Sequence, residues 1–306
     1  MNGYMKDAAW LRFQTYLPKE GRFTGKTLPK EEEFSYGRFK VHTDRYIPLS
    51  FKGSIVMIHG LGLNGRYLSF LATRFLKEGY EVICPDLPFF GYTEYEGTVN
   101  YDDVTELIAY LADQQKDPVF LLGTGFGGTI AYDAATLSKK VRGILATSFP
   151  DPGDFATQVH FCGSEEAYRD AYDNMRRWQW LLPGKKCPLE DFTDGLRMTN
   201  NPDASRIPAN DPKAGKAVLQ MRFVYSVMQH VFRVPPAEYK GSPVFLGMPE
   251  KDEWFDPREQ RGFFDRIGTE KKECVLPGGG HLPIEPAATE AFVKEACAFI
   301  EEIRGN

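Results

Sequence analysis

Several things are scarce in this 306-residue chain, and each scarcity excludes a class. No stretch approaches the roughly 18 uninterrupted apolar residues of a membrane span, so no spanning helix is expected. The opening MNGYMKDAAWLRFQTYLPKEG has no long apolar run after a basic start, which argues against a secretory signal there. Net charge is −5 and no basic stripe is visible, so a nucleic-acid partner is not expected. The five cysteines (Cys84, Cys162, Cys187, Cys274 and Cys297) are odd in number and lack C-x-x-C spacing. They read as free thiols of a cytoplasmic protein rather than as disulfides or zinc ligands. Internal repeats and low-complexity tracts are absent too.

What is present fits one large globular domain, or a domain with an insertion: 42% hydrophobic and 26% charged residues. Apolar strand-like runs alternate with helical patterns. Strands are expected over 53–60, 80–86, 119–123 and 141–149, with helices over 66–78, 101–115 and 128–137 between them. The helical segments place apolar residues at i, i+3, i+4 spacing, as at Leu107, Ile108 and Leu111. Asn100 is the expected N-cap of the second of these helices, with Asp102 and Asp103 in its first turn. Short buried strands alternating with helices predict a mostly parallel α/β sheet covered on both faces. Residues 34–43 alternate more like an antiparallel edge hairpin. After about residue 240 the rhythm resumes, with strands at 242–248 and 273–276 and a closing helix over 287–303. The intervening stretch breaks it. Two amphipathic helices are expected there, over 164–182 and 215–232. The reading is therefore a core of 1–149 and 240–306 with an inserted helical cap at 150–239.

Four motifs carry chemistry, in this order: His59-Gly-Leu-Gly62, Asp86-Leu-Pro-Phe-Phe-Gly91, Gly123-Thr-Gly-Phe-Gly127, and Gly278-Gly-Gly-His281-Leu-Pro-Ile-Glu-Pro286. The third follows a strand run and opens a helix, the setting of a G-x-S-x-G nucleophile elbow, but residue 125 is glycine. Together these motifs resemble the α/β-hydrolase superfamily, over about residues 34–302. The resemblance implies a lidded α/β-hydrolase fold. It also implies a nucleophile–acid–histidine triad that hydrolyses an ester or related acyl bond.

Carried over by position, the resemblance puts the nucleophile at Gly125, where serine is missing, and the general base at His281. It puts the orienting acid at Asp252, with Glu250, Asp256 and Asp151 as competitors. The oxyanion hole would use the backbone N–H groups of Leu61 and Phe126. His59 is expected to pack or hydrogen-bond rather than titrate. Thr124 and Thr129 supply nearby hydroxyls, but neither is at the apex. Cys84 and Tyr92 lie at sequence positions that could approach the site. Trp178, Trp180, Phe223 and Met228 of the cap are candidates for roofing an apolar pocket, although their spacing fits plain core packing first. The ligand expected is small and partly hydrophobic, with no cofactor and no metal. Oligomeric state is not legible.

Glycine at an elbow apex should relieve backbone strain while deleting the attacking atom. Three explanations compete. A serine hydrolase has lost its nucleophile; or His281 works as a base in non-hydrolytic chemistry; or the protein binds a ligand without turning it over. A fourth reading takes Gly123-x-Gly125-x-x-Gly128 as a dinucleotide fingerprint. It would need a carboxylate at the end of the next strand, where Asp151 comes late, beyond the apolar run, and it leaves the other motifs unexplained.

Overall fold

The computed structural model describes residues 3–24, 27–162 and 164–305. Its order begins with α1 (Ala8–Phe13), β1 (Lys30–Tyr36), β2 (Phe39–Tyr46), β3 (Gly53–Ile58), α2 (Ser69–Lys77), β4 (Tyr80–Pro85) and β5 (Glu94–Tyr95). There follow α3 (Tyr101–Asp113), β6 (Val119–Gly123), α4 (Phe126–Leu137) and β7 (Val141–Ala146). Between β7 and the next strand of the main sheet lie α5 (Phe155–Cys162), α6 (Glu165–Arg177), β8 (Lys186–Pro188), α7 (Pro202–Ala209), β9 (Val218–Gln220) and α8 (Met221–Met228). The chain closes with β10 (Val244–Pro249), α9 (Pro257–Phe264), β11 (Lys271–Leu276) and α10 (Pro286–Gly305).

The main sheet runs β1-β2-β4-β3-β6-β7-β10-β11, with β5 on the edge of β2. From β4 to β11 every pairing is parallel, whereas β1–β2 and β2–β4 are antiparallel. Parallel strands need both faces covered, and the side-chain alternation shows how that is met. Val56 and Ile58 of β3 join one core with Leu107 and Ile108 of α3 and Ile130 of α4. Ile55 and Met57 point the other way, into a core with Phe70 and Phe75 of α2 and Phe292 and Phe299 of α10. The expected cap of α3 is present: Asn100 accepts from the Asp103 N–H at 2.9 Å, and Asp103 accepts from the Asn100 N–H at 2.8 Å.

Among the described residues, the segment between β7 and β10 contributes no strand to this sheet. It differs in detail from the two helices expected of it. Of 215–232, residues 218–220 are strand, paired with β8, and only Met221–Met228 is α-helix. Val218 and Leu219 satisfy the apolar spacing of either element, and the partner strand decides between them. α7 was hidden in a stretch rich in Pro, Asn and Asp. Asn201 caps it, Pro202 starts it, and Pro208 sits near its end, so the breakers mark its boundaries. Among the described residues no helix is long and apolar enough to cross a membrane.

Candidate active site

β6 ends at Gly123 and α4 begins at Phe126, leaving two residues to reverse the chain. Gly125 makes the turn at φ +55°, ψ −127°, a region that strains an L side chain. The Gly127 N–H bonds back to Thr124 O and the Gly128 N–H to Gly125 O, each at 2.9 Å, so the turn is fixed. A Cβ on Gly127 would stand 2.3 Å from Ile58 O. These glycines therefore let α4 press against the neighbouring strand. The loop after β3 lies on the same apex: a Cβ on Gly60 would be 2.9 Å from Thr124 O and 3.6 Å from Phe126 N. Phe126 is the first residue of its helix, and its N–H has no partner within it.

His281 lies in the loop between β11 and α10, buried, with its Nε2 2.7 Å from the point a Cβ on Gly125 would occupy. Its Nδ1 stands 3.0 Å from Asp252 Oδ2. Asp252 Oδ1 accepts the Trp254 and Phe255 N–H groups at 2.8 and 3.0 Å, and Gln260 Nε2 donates to Oδ2 at 3.0 Å. Burial pushes the Asp252 carboxyl up, but the His281 ring and these donors outweigh it and hold it below the usual carboxylate range. The Trp254 and Phe255 rings lie 4.8 and 5.5 Å from the imidazole. The loop itself is held from the segment between β7 and β10, by the Leu282 N–H on Met198 O and by Asn200 Nδ2 on Gly278 O.

The competing carboxylates are committed elsewhere. Asp151 pairs with Arg266 at 2.7 Å. Glu250 accepts the Gly278 N–H, and Asp256 caps α9. Thr129 donates to Pro150 O, and Thr124 is buried beside the apex. Cys84 sits inside β4, and the Tyr92 ring packs on Tyr4 and His42. No carboxylate ends β7, whose next residues are Thr147 and Ser148. A Cβ on Gly128 would lie 2.2 Å from Ser148 O. The G-x-G-x-x-G spacing thus serves helix–sheet contact and lacks the ribose carboxylate of a dinucleotide site.

His59 is fully buried and uncharged. The Leu87 N–H donates to Nε2 at 3.0 Å, which assigns the proton to Nδ1, 2.8 Å from Gly60 O. Burial drives its pKa down to about 4. The ring staples the loop after β3 to the loop after β4. Asp86, at the start of the second loop, accepts from Tyr4 Oη, Gly65 N and Tyr92 N. Glu31, His42 and Asp44 cluster nearby, but Arg66 bonds both carboxylates of that group, filling it with a guanidinium.

Leu61 and Phe126 also line an apolar cavity of about 70 Å³. Phe223, Val224, Val227 and Met228 of α8 roof it, and Gln158 is among its few polar neighbours. Phe89, at φ +79° in the loop after β4, sets its ring against Phe223. A more open groove of about 620 Å³ shares Phe161 and Phe192 with the cavity and reaches Trp254. Trp178 and Trp180 are a correction: they are 48% and 69% exposed and do not line the cavity. Met175 and Leu182, on either side of them, point inward instead, which turns the tryptophans out. Gln260, Trp254 and Phe255 escaped the sequence reading. The amide N–H groups of 254 and 255 closing on Asp252 form a local turn, and an Asp two residues before an aromatic pair is the one sequence hint of it.

The model described as the alpha/beta hydrolase family matches residues 55–295. A soluble variant of monoglyceride lipase from Saccharomyces cerevisiae, solved with a substrate analogue, is 15% identical with a TM-score of 0.75, covering 94% of this chain and 98% of that one. Monoacylglycerol lipase from Paleococcus ferrophilus is 19% identical with a TM-score of 0.65, covering 86% and 99%. Mouse alpha/beta hydrolase domain-containing protein 10 is 16% identical with a TM-score of 0.60, covering 90% and 99%. At these identities the likeness shows the fold. No curated protein sequence matches the chain.

Proposed function

Because the chain belongs to the alpha/beta hydrolase family, we propose that it hydrolyses a small, partly apolar ester or related acyl compound without a covalent intermediate. Gly125 takes the family's nucleophile position, His281 is the general base and Asp252 its orienting acid. Residues 1–149 and 240–306 form the core in this reading, and 150–239 the cap. The observation that carries it is the approach of His281 Nε2 to Gly125: the space a nucleophile's side chain would fill lies within hydrogen-bonding reach of the base. A water there gives its proton to Nε2 as its oxygen attacks the acyl carbon. The carbonyl oxygen becomes an oxyanion facing the Leu61 and Phe126 N–H groups. Collapse of the tetrahedral species expels the alcohol, which takes the proton back from His281. The acyl group rests in the apolar cavity under α8, beside Phe223 and Met228. Two structural neighbours are a monoglyceride lipase and a monoacylglycerol lipase, which supports an acyl substrate.

A second reading, ligand binding without turnover, is favoured by the tightness of the same approach: a Cβ at residue 125 would stand only 2.7 Å from Nε2 and 3.2 Å from Cε1 of His281, closer than ordinary contact, so the site is more than a hydrolase short of one oxygen. Turnover of short aryl esters by the unaltered chain and by His281→Ala separates the two. Turnover that disappears with the imidazole, with no acyl adduct on intact-mass analysis, supports hydrolysis. Binding with no turnover in either protein supports the second reading.

A further inference from the structure

The segment linking α6 to β8 reads Arg176-Arg-Trp-Gln-Trp-Leu-Leu-Pro-Gly-Lys-Lys186. Buried Met175 and Leu182 pin it to the cap, and it packs on α8. Trp178, Trp180 and Leu181 face outward, the two indoles 6.3 Å apart. Arg176 and Arg177 precede them, Lys185 and Lys186 follow, and all four are exposed. Arg176 has Asp173 at 3.7 Å, both largely in solvent. Among the described residues Arg177, Lys185 and Lys186 form no ion pair within 4 Å. The whole chain carries a net charge of −5, so this concentration of cations is local.

Two solvent-facing tryptophans bracketed by cations match what a bilayer surface offers. Indole rings settle at the headgroup level, and Lys and Arg are drawn to anionic lipid. A second copy is a poor occupant, because a symmetric contact would set four cations against four. We propose that this face of the cap docks on an anionic lipid surface, with Trp178 and Trp180 at the headgroup–acyl boundary. The helix this segment packs on, α8, also lines the apolar cavity with Phe223, Val224, Val227 and Met228, so the proposed docking face and the cavity share one element. The proposal does not depend on the chemistry assigned to His281.

The test is sedimentation of the full chain with vesicles of phosphatidylcholine, alone or mixed with phosphatidylserine. Trp10 and Trp254 are buried, so a blue shift of emission and quenching by brominated lipid report on Trp178 and Trp180. Expected is salt-sensitive binding to the mixed vesicles only. The Trp178→Ala/Trp180→Ala variant loses both binding and blue shift at an unchanged melting temperature. Arg177→Glu/Lys186→Glu weakens partitioning by roughly fivefold or more for each cation removed. The proposal is overturned if the chain stays in the supernatant with mixed vesicles, if both variants bind like the parent, or if phosphatidylcholine alone binds equally well. A dimer on sedimentation velocity that is lost in the tryptophan variant would assign the face to self-association instead.

Discussion

The imidazole of His281 closes over the apex residue Gly125, its Nε2 2.7 Å from the point where a Cβ there would stand. Two consequences follow for any side chain at 125. It meets a ring held by Asp252, Trp254 and Phe255, and it adopts a φ of +55°. The backbone term costs roughly 1–3 kcal/mol, offset by about 0.4–1 kcal/mol from the lost flexibility of the unfolded glycine. Gly125→Ala and Gly125→Ser should both lose stability in chemical denaturation, by similar amounts. An alanine variant clearly more stable than the parent would remove residue 125 from the strained turn.

Gly125→Ser should also acquire chemistry that Gly125→Ala lacks. The serine hydroxyl would enter beside the base, provided the imidazole retreats by less than about an ångström to ordinary contact. Expected is a covalent acyl adduct on intact-mass analysis after exposure to a short aryl ester, in the serine variant alone. A folded serine variant with no adduct would mean that the ring does not yield, and the binding reading gains.

For the unaltered chain, His281→Ala should reduce ester turnover by about 10²–10⁴. Asp252→Asn should fall in the same range, because the amide cannot fix the Nδ1 proton as the carboxylate does. The double variant should lose little more, since the two act as one unit. Steady-state rates for the three proteins check this. An inert His281→Ala beside a fully active Asp252→Asn would break the dyad assignment.

Filling the cavity should narrow the ligand range. Val227 lines it from α8, and tryptophan there would occupy space an acyl chain uses. Loss of burial for two methylenes corresponds to roughly tenfold weaker binding. Calorimetry with non-hydrolysable methyl ketones of increasing chain length should show the long members weakened by Val227→Trp and the shortest unchanged. Equal weakening across the series would place the acyl chain elsewhere.

The buried, neutral His59 makes stability depend on pH. Its folded pKa of about 4 lies below the ordinary value of 6.5, so between these the unfolded state binds more protons. Its contribution is complete above about 6.5 and declines as pH falls through 4, by about 3 kcal/mol in all. Comparing the chain with His59→Gln isolates this, because every other group is shared. The stability gap between the two should shrink from pH 6.5 to 4 in urea titrations, and a constant gap would rule the linkage out.

Much of the scaffold was legible in the sequence because it is written locally. Apolar periodicity located β3, β4, β6, α3 and α10 to within a few residues, Asn100 with Asp103 marked the start of α3, and the glycine run marked the turn after β6. The same local writing brought His281 into view, between Gly280 and the proline that starts α10. Residues 218–220 were misread because three residues of apolar spacing serve a strand or a helix equally, and only pairing with β8 decides. Among the carboxylates the resemblance favoured Asp252, with Glu250, Asp256 and Asp151 left as competitors. Asp252 and His281 are 29 residues apart, and the fold alone sets which acidic side chain meets Nδ1 while its rivals are drawn to Arg266, Gly278 and the start of α9. Trp178 and Trp180 show the same division. Their spacing in the sequence suits core packing or the roof of a pocket, but their direction follows from Met175 and Leu182 taking the inward positions. Local spacing and turn chemistry act through neighbouring residues and can be read in one dimension. Facing, pairing and the choice among equivalent charges act through space, and they were decided only when the tertiary structure brought the partners together.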